Sequence, residues 1–413
     1  MWDVIIIGAG AAGLWAAGTA AARQRRVLVL EKNRKAGVKI LMSGGTRCNI
    51  THACDSVGMI DAFGVQGRFL KPALHALTPD DVVAEFARLG VATKREPNGK
   101  IFPCSDRAID VRDALVARLE SSGAQLRTGV SVMDVAQQAD GTWRVRVEDA
   151  ELSTEKVILA TGGLSYPGCG TTGDGYAWAR AAGHAIEPTF PALAPLLSPA
   201  QWVHELQGLT MPDVAVSVSA VHGDRRRDPR LTNRNSLLWT HFGCSGPAAM
   251  NVSKGFSMMD RPHDAQLVID LLPDLDINEC TKALQSGAAS GNGRKLISTC
   301  LQPWVPRRMA ETVMQIASVS ESTTIAELTK EGRRKMVANL KSLQVPINGT
   351  RGYSKAEVTA GGVRRDEIEP RTMRSRKADG LYLIGEILDV DGPIGGFNFQ
   401  AAFSTGHVAG LDA

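Results

Sequence analysis

Gly8, Gly10 and Gly13 stand in the spacing G-x-G-x-x-G within residues 3–31, DVIIIGAGAAGLWAAGTAAARQRRVLVLE. Gly8 permits a tight turn, Gly10 lets the backbone approach a pyrophosphate, and Gly13 lets a helix pack closely on a strand. The N–H groups around Ala11 and Ala12 would open a helix, offering phosphate unpaired donors and the positive end of the helix dipole. Glu31, roughly 20 residues after the turn, is placed to accept hydrogen bonds from a ribose. Together these residues have the chemistry of a dinucleotide site.

The elements that must position them are legible on either side. The β-branched run Val4, Ile5, Ile6 and Ile7 leads into the glycines, an Ala-rich helical segment follows, and a second apolar run over 27–30 closes at Glu31. Strand, turn, helix, strand and acid are all present, which makes the fingerprint far more specific than glycines alone. Residues 4–22 carry no charge and reach the length of a membrane span. Against that reading stand Asp3, where a signal peptide would be positive, the interrupting glycines, and the weak hydrophobicity of Ala and Gly.

The 413 residues allow two or three domains, and 44% apolar with 22% charged residues fits a soluble globular protein. The net charge of +4 is mild and argues for neither nucleic acid nor membrane as the main partner. Two basic clusters, Arg225, Arg226, Arg227 with Arg230, and Arg364, Arg365, Arg371, Arg374, Arg376 with Lys377, read as solvated turns or edges. An anionic substrate or a nicotinamide 2′-phosphate is the alternative. Seven scattered cysteines without framework spacing suggest a reducing, cytoplasmic setting.

After Glu31 comes a basic, Gly-rich stretch that does not read as a regular helix. Its Lys39 and Arg47 suit a pyrophosphate or the edge of an isoalloxazine. Here GVKILMSGGTRCNIT (37–51), with IFPCSDRAIDVRDAL (101–115), ILATGGLSYPGCGTTGDGY (158–176), THFGCSGPA (240–248), AEVTAGGV (356–363) and GLYLIGEILDVDGPIGGFNFQAAFSTG (380–406), resembles a bacterial FAD-binding flavoprotein family. Its members are labelled aminoacetone oxidase-like or bile-acid enone reductase-like. The resemblance implies an α/β fold with a glutathione-reductase-like Rossmann FAD-binding domain over 1–188 and 352–413. It also implies a β-rich insert over 189–275, with a return strand near 344–351, and a helical insert over 276–343.

It further implies FAD held non-covalently. Lys32, Gly45, Cys48 and Asn49 fall in or beside the first signature. Val132, on the first strand of an expected hairpin, is the position for a backbone contact to adenine, and Thr161, Gly162 and Gly163 form a turn that contacts FAD. Gly385, Glu386, Asp389, Gly395, Gly396, Phe397 and Asn398 form the half-site for the isoalloxazine and ribityl groups. There the N-terminus of a closing helix favours negative charge at the flavin N1 and O2.

Several other patterns carry less. Residues 168–173 match G-x-G-x-x-G literally, but no strand runs directly into them and Pro167 intervenes, so one fingerprint is counted. NAD(P)H is therefore expected only as a transient reductant. Cys48 and Cys54 are spaced wrongly for the redox pair of a disulfide reductase; with His52 they lack a fourth zinc ligand, so no metal is expected. His241, Tyr166, Arg47 and Arg107 are the candidates for acid, base or carbonyl-holding roles. The expected function is an FAD-dependent oxidoreductase that moves hydride between a small organic substrate and flavin N5. A flavin-containing RNA-modifying or macromolecule-binding protein is the alternative.

Overall fold

The computed structural model describes residues 1–220, 231–289 and 293–413, so the Arg225 to Arg230 cluster lies outside the described residues. The chain divides into two compact units, one formed by Met1–Pro191 and Tyr353–Ala413, the other by Ala192–Gly352.

In the first unit, strand β1 (Trp2–Ile7) is central because its apolar run has no polar face to turn to water. Parallel neighbours flank it on both sides: Ile5 lies opposite Leu28 of strand β2 (Val27–Glu31) on one side and opposite Val157 of Glu151–Leu159 on the other. Val4, Ile5 and Ile6 have no exposure, and full burial of each such side chain stabilises by about 1.5–3 kcal/mol. Gln125–Thr128 extends the sheet beyond β2. The long strand Glu151–Leu159 serves two partners on its far side. Its first half pairs antiparallel with Trp143–Val147, which pairs with Val132–Gln137, and its second half pairs parallel with Leu381–Leu383. That last pairing returns the C-terminal segment to the N-terminal sheet.

Helix α1 (Ala11–Ala21) is buried on every side except at Ala11. Its Ala and Gly content is what allows this. The closing helix, Phe397–Asp412, lies against it so closely that a Cβ at Gly406 would come 2.5 Å from the Ala12 carbonyl oxygen, and one at Gly410 would come 2.6 Å from that of Ala16. The 11-residue α1 is far short of a membrane span, and among the described residues no helix is long and apolar enough to cross a membrane.

Helix Pro79–Arg88 is capped by reciprocal bonds between Thr78 and Asp81. Helix Ala108–Ser121 begins after Arg107, and the nearby Asp106 does not cap it. Asp106 takes a left-handed backbone, φ 54°, and its carboxylate pairs with Lys94 and Arg47. The stretch after Glu31 contains one short helix after all, Val38–Met42, which ends as Gly44 and Gly45 turn left-handed.

The second unit is built on an antiparallel sheet in the order Leu343–Pro346, Ala265–Asp270, Thr210–Ala220, Thr232–Thr240, Gly243–Ser245, Leu196–Leu197, Gly349–Thr350. Helix Gly246–Ser257 packs on it. The helices Ile277–Ala289, Ile297–Leu301, Arg307–Ile316 and Lys330–Lys341 share its apolar core, with Leu284, Met309, Val313 and Met336 in one cluster with Leu267 and Ile269. The β-rich and helical inserts expected as two modules thus have one hydrophobic core.

Candidate active site

The three fingerprint glycines divide their work in a measurable way. A Cβ on Gly8, whose φ is +103°, would sit 2.4 Å from the Ala160 carbonyl oxygen, and one on Gly13 would sit 2.0 Å from that of Gly8. Both are glycine because protein backbone fills the space. A Cβ on Gly10 would meet nothing within 4 Å. Gly10 also precedes α1 with no side chain capping the helix, so the first N–H groups of the helix keep their donors. Glu31 is buried at the end of β2. Its Oε2 accepts from the Ala9 N–H and its Oε1 from the Asn33 N–H, each at 2.8 Å, which aims the carboxylate across the glycine turn.

Beside this turn, Gly45, Thr46 and Cys48 hold left-handed backbone angles. For Thr and Cys this costs roughly 1–3 kcal/mol each and marks a loop whose shape is set by more than local preference. A Cβ on Gly45 would again meet open space. Cys48 is fully buried, and burial pushes its thiol up to about 12, so it is neutral and packs rather than reacts. Both Cys48 and Cys54 are free thiols. Asn49 is buried with its Oδ1 unpartnered. Arg47 is held by Glu96 at 2.8 Å and lies 4.0 Å above the Phe102 ring.

Lys39 ties the two half-sites together. Its Nζ donates to Ser165 Oγ and pairs with Glu386 Oε2, both at 2.6 Å. Glu386 Oε1 accepts from the Thr359 N–H at 3.0 Å, and Thr359 Oγ1 accepts from the N–H groups of Leu164 and Ser165. Gly163 has no room for a side chain, since a Cβ would lie 2.4 Å from Thr359 Oγ1. Thr161 of the same turn has a buried, unpartnered Oγ1. Ser165 and Thr359 were not anticipated. They become visible only when strand Val358–Val363 is placed beside the 161–165 turn, although both lie inside the quoted motifs.

In the C-terminal half-site, Gly385 donates its N–H to Thr405 Oγ1 at 3.1 Å. Asp389 pairs with Arg365 at 3.1 Å. Asn398 supports the loop itself, accepting from the Gly392 N–H and donating to its carbonyl. Phe397 stacks on His52 with centroids 4.7 Å apart. Gly396 opens the closing helix with no side chain capping it, so this helix too presents unpaired N–H groups.

Some expected residues have other company. Lys32 pairs with Asp174 at 2.6 Å, and Arg107 is exposed near Asp110. Val132 begins its strand opposite Val147. Residues 168 and 169 belong to the short helix Pro167–Cys169 and 170–173 lead from it to helix Asp174–Ala181, so no strand runs directly into them. His241 belongs to the second unit, exposed, with its ring edge-on to Phe242 at 5.0 Å. Much of the Arg364 to Lys377 cluster is neutralised locally: Arg364 pairs with Asp366, Arg365 with Asp389, Arg374 with Asp379, Arg376 with Glu369 and Lys377 with Glu367.

Comparison with known proteins fits this arrangement. The model of the HI0933-like protein Rossmann domain matches residues 2–412. The chain belongs to this family. A ribosomal RNA dihydrouridine synthase of Escherichia coli K12 is 34% identical over 411 residues, covering 100% of this chain and 98% of the relative. A 3-dehydro-bile acid delta(4,6)-reductase of Clostridium scindens is 31% identical over 415 residues, covering 99% and 98%. Among solved structures, a 3-ketosteroid delta1-dehydrogenase from Sterolibacterium denitrificans superposes with a TM-score of 0.53 at 15% identity, covering 100% of this chain and 99% of that one. A flavocytochrome c3 fumarate reductase does so with 0.51 at 16% identity, covering 99% and 77%. At such identities these two establish the fold alone.

The protein is a flavoprotein oxidoreductase, and FAD is the cofactor its family implies. The residues present fit that group. The cradle at Gly10 is one a Cβ would fill, and Thr161 Oγ1 and Asn49 Oδ1 are buried oxygens without partners. Such atoms are rare in folded proteins unless something absent from the protein atoms satisfies them.

Proposed function

We propose that this protein reduces a C=C bond conjugated to a carbonyl, with uridine in ribosomal RNA as substrate and NAD(P)H as the transient reductant. The observation that carries this reading is the end-to-end match to two relatives named as ribosomal RNA dihydrouridine synthases, at 34% and 33% identity. The bile-acid relative points to the same bond chemistry. In uridine and in an unsaturated 3-oxo steroid alike, the double bond is polarised by a neighbouring carbonyl, so its β carbon accepts hydride.

Charge favours the nucleic acid over the steroid, although the mild net charge of the whole chain argued against it. The unit Ala192–Gly352 holds 18 Lys and Arg against 14 Asp and Glu, whereas the remainder holds 29 of each. The whole excess of +4 therefore belongs to one unit, as a polyanionic substrate would require.

FAD, when bound, supplies the hydride. The chain's residues do the rest. The first turn of α1 offers N–H donors to a pyrophosphate, Glu31 offers carboxylate oxygens to a ribose, and the N-terminus of the closing helix favours negative charge. Lys39, Ser165 and Glu386 lock the 161–165 turn to the C-terminal half-site.

The test is anaerobic. Flavin-loaded protein is bleached with NADH or NADPH and then mixed with an unmodified ribosomal RNA transcript or with an unsaturated 3-oxo steroid. Return of the oxidised flavin spectrum with RNA, and gain of two hydrogens at a uridine by mass spectrometry, is expected. Reoxidation by the steroid alone would replace the RNA assignment. Reoxidation by neither would remove the reading altogether.

A further inference from the structure

The positive excess of the unit Ala192–Gly352 is not spread through it. Residues 277–352 hold 11 Lys and Arg against 5 Asp and Glu, whereas residues 192–276 hold 7 against 9. The helical part therefore carries +6 and the strand-rich part before it −2. Four of those five acids are already engaged. Glu279 accepts from the Asp276 N–H, Glu311 pairs with Arg307, Glu327 accepts from Thr324, and Glu331 pairs with Arg334 and Lys335.

Several cations that no carboxylate holds come together. The Ile325 N–H donates to the Lys295 carbonyl at 3.0 Å and the Ala326 N–H to that of Gly293 at 3.1 Å, so Arg294 and Lys295 run beside the 323–326 segment. Three residues after Ala326, Thr329 caps helix Lys330–Lys341 by accepting from the Gly332 N–H at 3.0 Å, which fixes Lys330 and Arg333 in its first turn. Arg294, Lys295 and Lys330 are exposed and Arg333 is half-buried, and among the described residues none of the four makes an ion pair. Stability does not account for this placement. The N-terminus of a helix is the positive end of its dipole and repels cations in the first turn. The same end attracts phosphate. The helix turns Met336, Val337 and Leu340 into the core, so its outer face offers charge without the large apolar side chains that would anchor it in a lipid surface. A second copy of this chain would bring like charge to like.

We propose that Arg294, Lys295, Lys330 and Arg333 form the surface that receives the phosphates of RNA. This rests on the ribosomal RNA reading above and names where that substrate is held. Each cation that meets a phosphate releases condensed counterions and adds roughly 0.7–0.9 to the slope of log affinity against log salt. Such contacts fix position and carry no sequence information, so the choice of uridine falls to other residues.

The test is filter binding of an unmodified ribosomal RNA transcript to flavin-loaded protein over a series of salt concentrations. The fourfold variant Arg294→Gln, Lys295→Gln, Lys330→Gln, Arg333→Gln is expected to bind at least tenfold more weakly at about 100 mM salt, with a slope flatter by about 3. Its thermal stability and flavin content are expected to stay, since no ion pair is broken. Glutamine at Arg371, Arg374 and Arg376 of the other unit is expected to leave the slope unmoved, and an equal flattening there overturns the assignment. An unchanged slope in the fourfold variant also overturns it, and leaves the ribosomal RNA reading intact. Wild-type protein that binds phosphatidylglycerol vesicles but no RNA overturns both. If RNA binding is lost in the fourfold variant while the wild type adds hydrogen to no uridine, the reductase reading falls and the surface stands.

Discussion

At the scale of the residue, the contrast between Gly10 and Gly13 separates ligand from fold. Gly10→Val adds atoms to open space, so the flavin-free protein is expected to keep its thermal stability while FAD is lost on gel filtration. Retained flavin would show that the open space serves something else. Gly13→Ala drives a methyl into the Gly8 carbonyl, and a loss of about 1–3 kcal/mol is expected in denaturant titration. Cysteine chemistry divides in the same manner. Cys48, a buried neutral thiol held at about 12, should resist alkylation at pH 8, whereas exposed Cys104 should react first. Peptide mapping after brief labelling distinguishes the two, and early modification of Cys48 would contradict its burial.

At the scale of the element, helix Ala108–Ser121 is tied to α1 and to Pro79–Arg88 through Arg118. Its guanidinium donates to Glu85 at 2.7 Å, to the Trp15 carbonyl at 3.0 Å and to Thr19 at 3.1 Å. The hydrogen bonds from Arg88, then the one from Arg118, hold Glu85 at about 2 against an ordinary 4.5. A depressed carboxylate contributes stability that is fully present above its unfolded value and is lost as pH falls toward the folded one. Stability should therefore drop between about pH 4.5 and 2, and Glu85→Gln should flatten that part of the curve. The same substitution is expected to cost about 2–3 kcal/mol, less than the 3–5 of a fully buried pair, because Glu85 retains some water. His184 works at a higher pH. Buried between Glu367 and Ser375, it is depressed by burial, so protonation favours the unfolded chain. Its contribution should fade as pH falls through about 6.5, and His184→Gln should remove the fade.

At the scale of the molecule, the unequal charge of the two units is the property to measure. If the Ala192–Gly352 unit meets RNA through its excess cations, raising salt from about 50 to 200 mM should weaken RNA binding at least tenfold. A salt-independent affinity, read by filter binding, would argue for a small neutral substrate instead.

What the sequence determined by itself was the strand–turn–helix–strand unit at the N-terminus. A β-branched run ending in spaced glycines, a small-residue helix and an acid form a local unit, and local units are written in consecutive residues. The hairpin that opens at Val132 was legible for the same reason. Only tertiary structure decided which polar groups are already used. Arg47, Lys32, Lys39, Asp389 and Asn398 looked free for a ligand as letters, yet each meets a partner distant in the chain or across a loop. Strand Val358–Val363 comes beside the 161–165 turn across nearly 200 residues, and no local periodicity encodes that meeting. Gly10 joins the two levels: its spacing suggested a nucleotide, and in the folded chain a Cβ there would meet nothing within 4 Å.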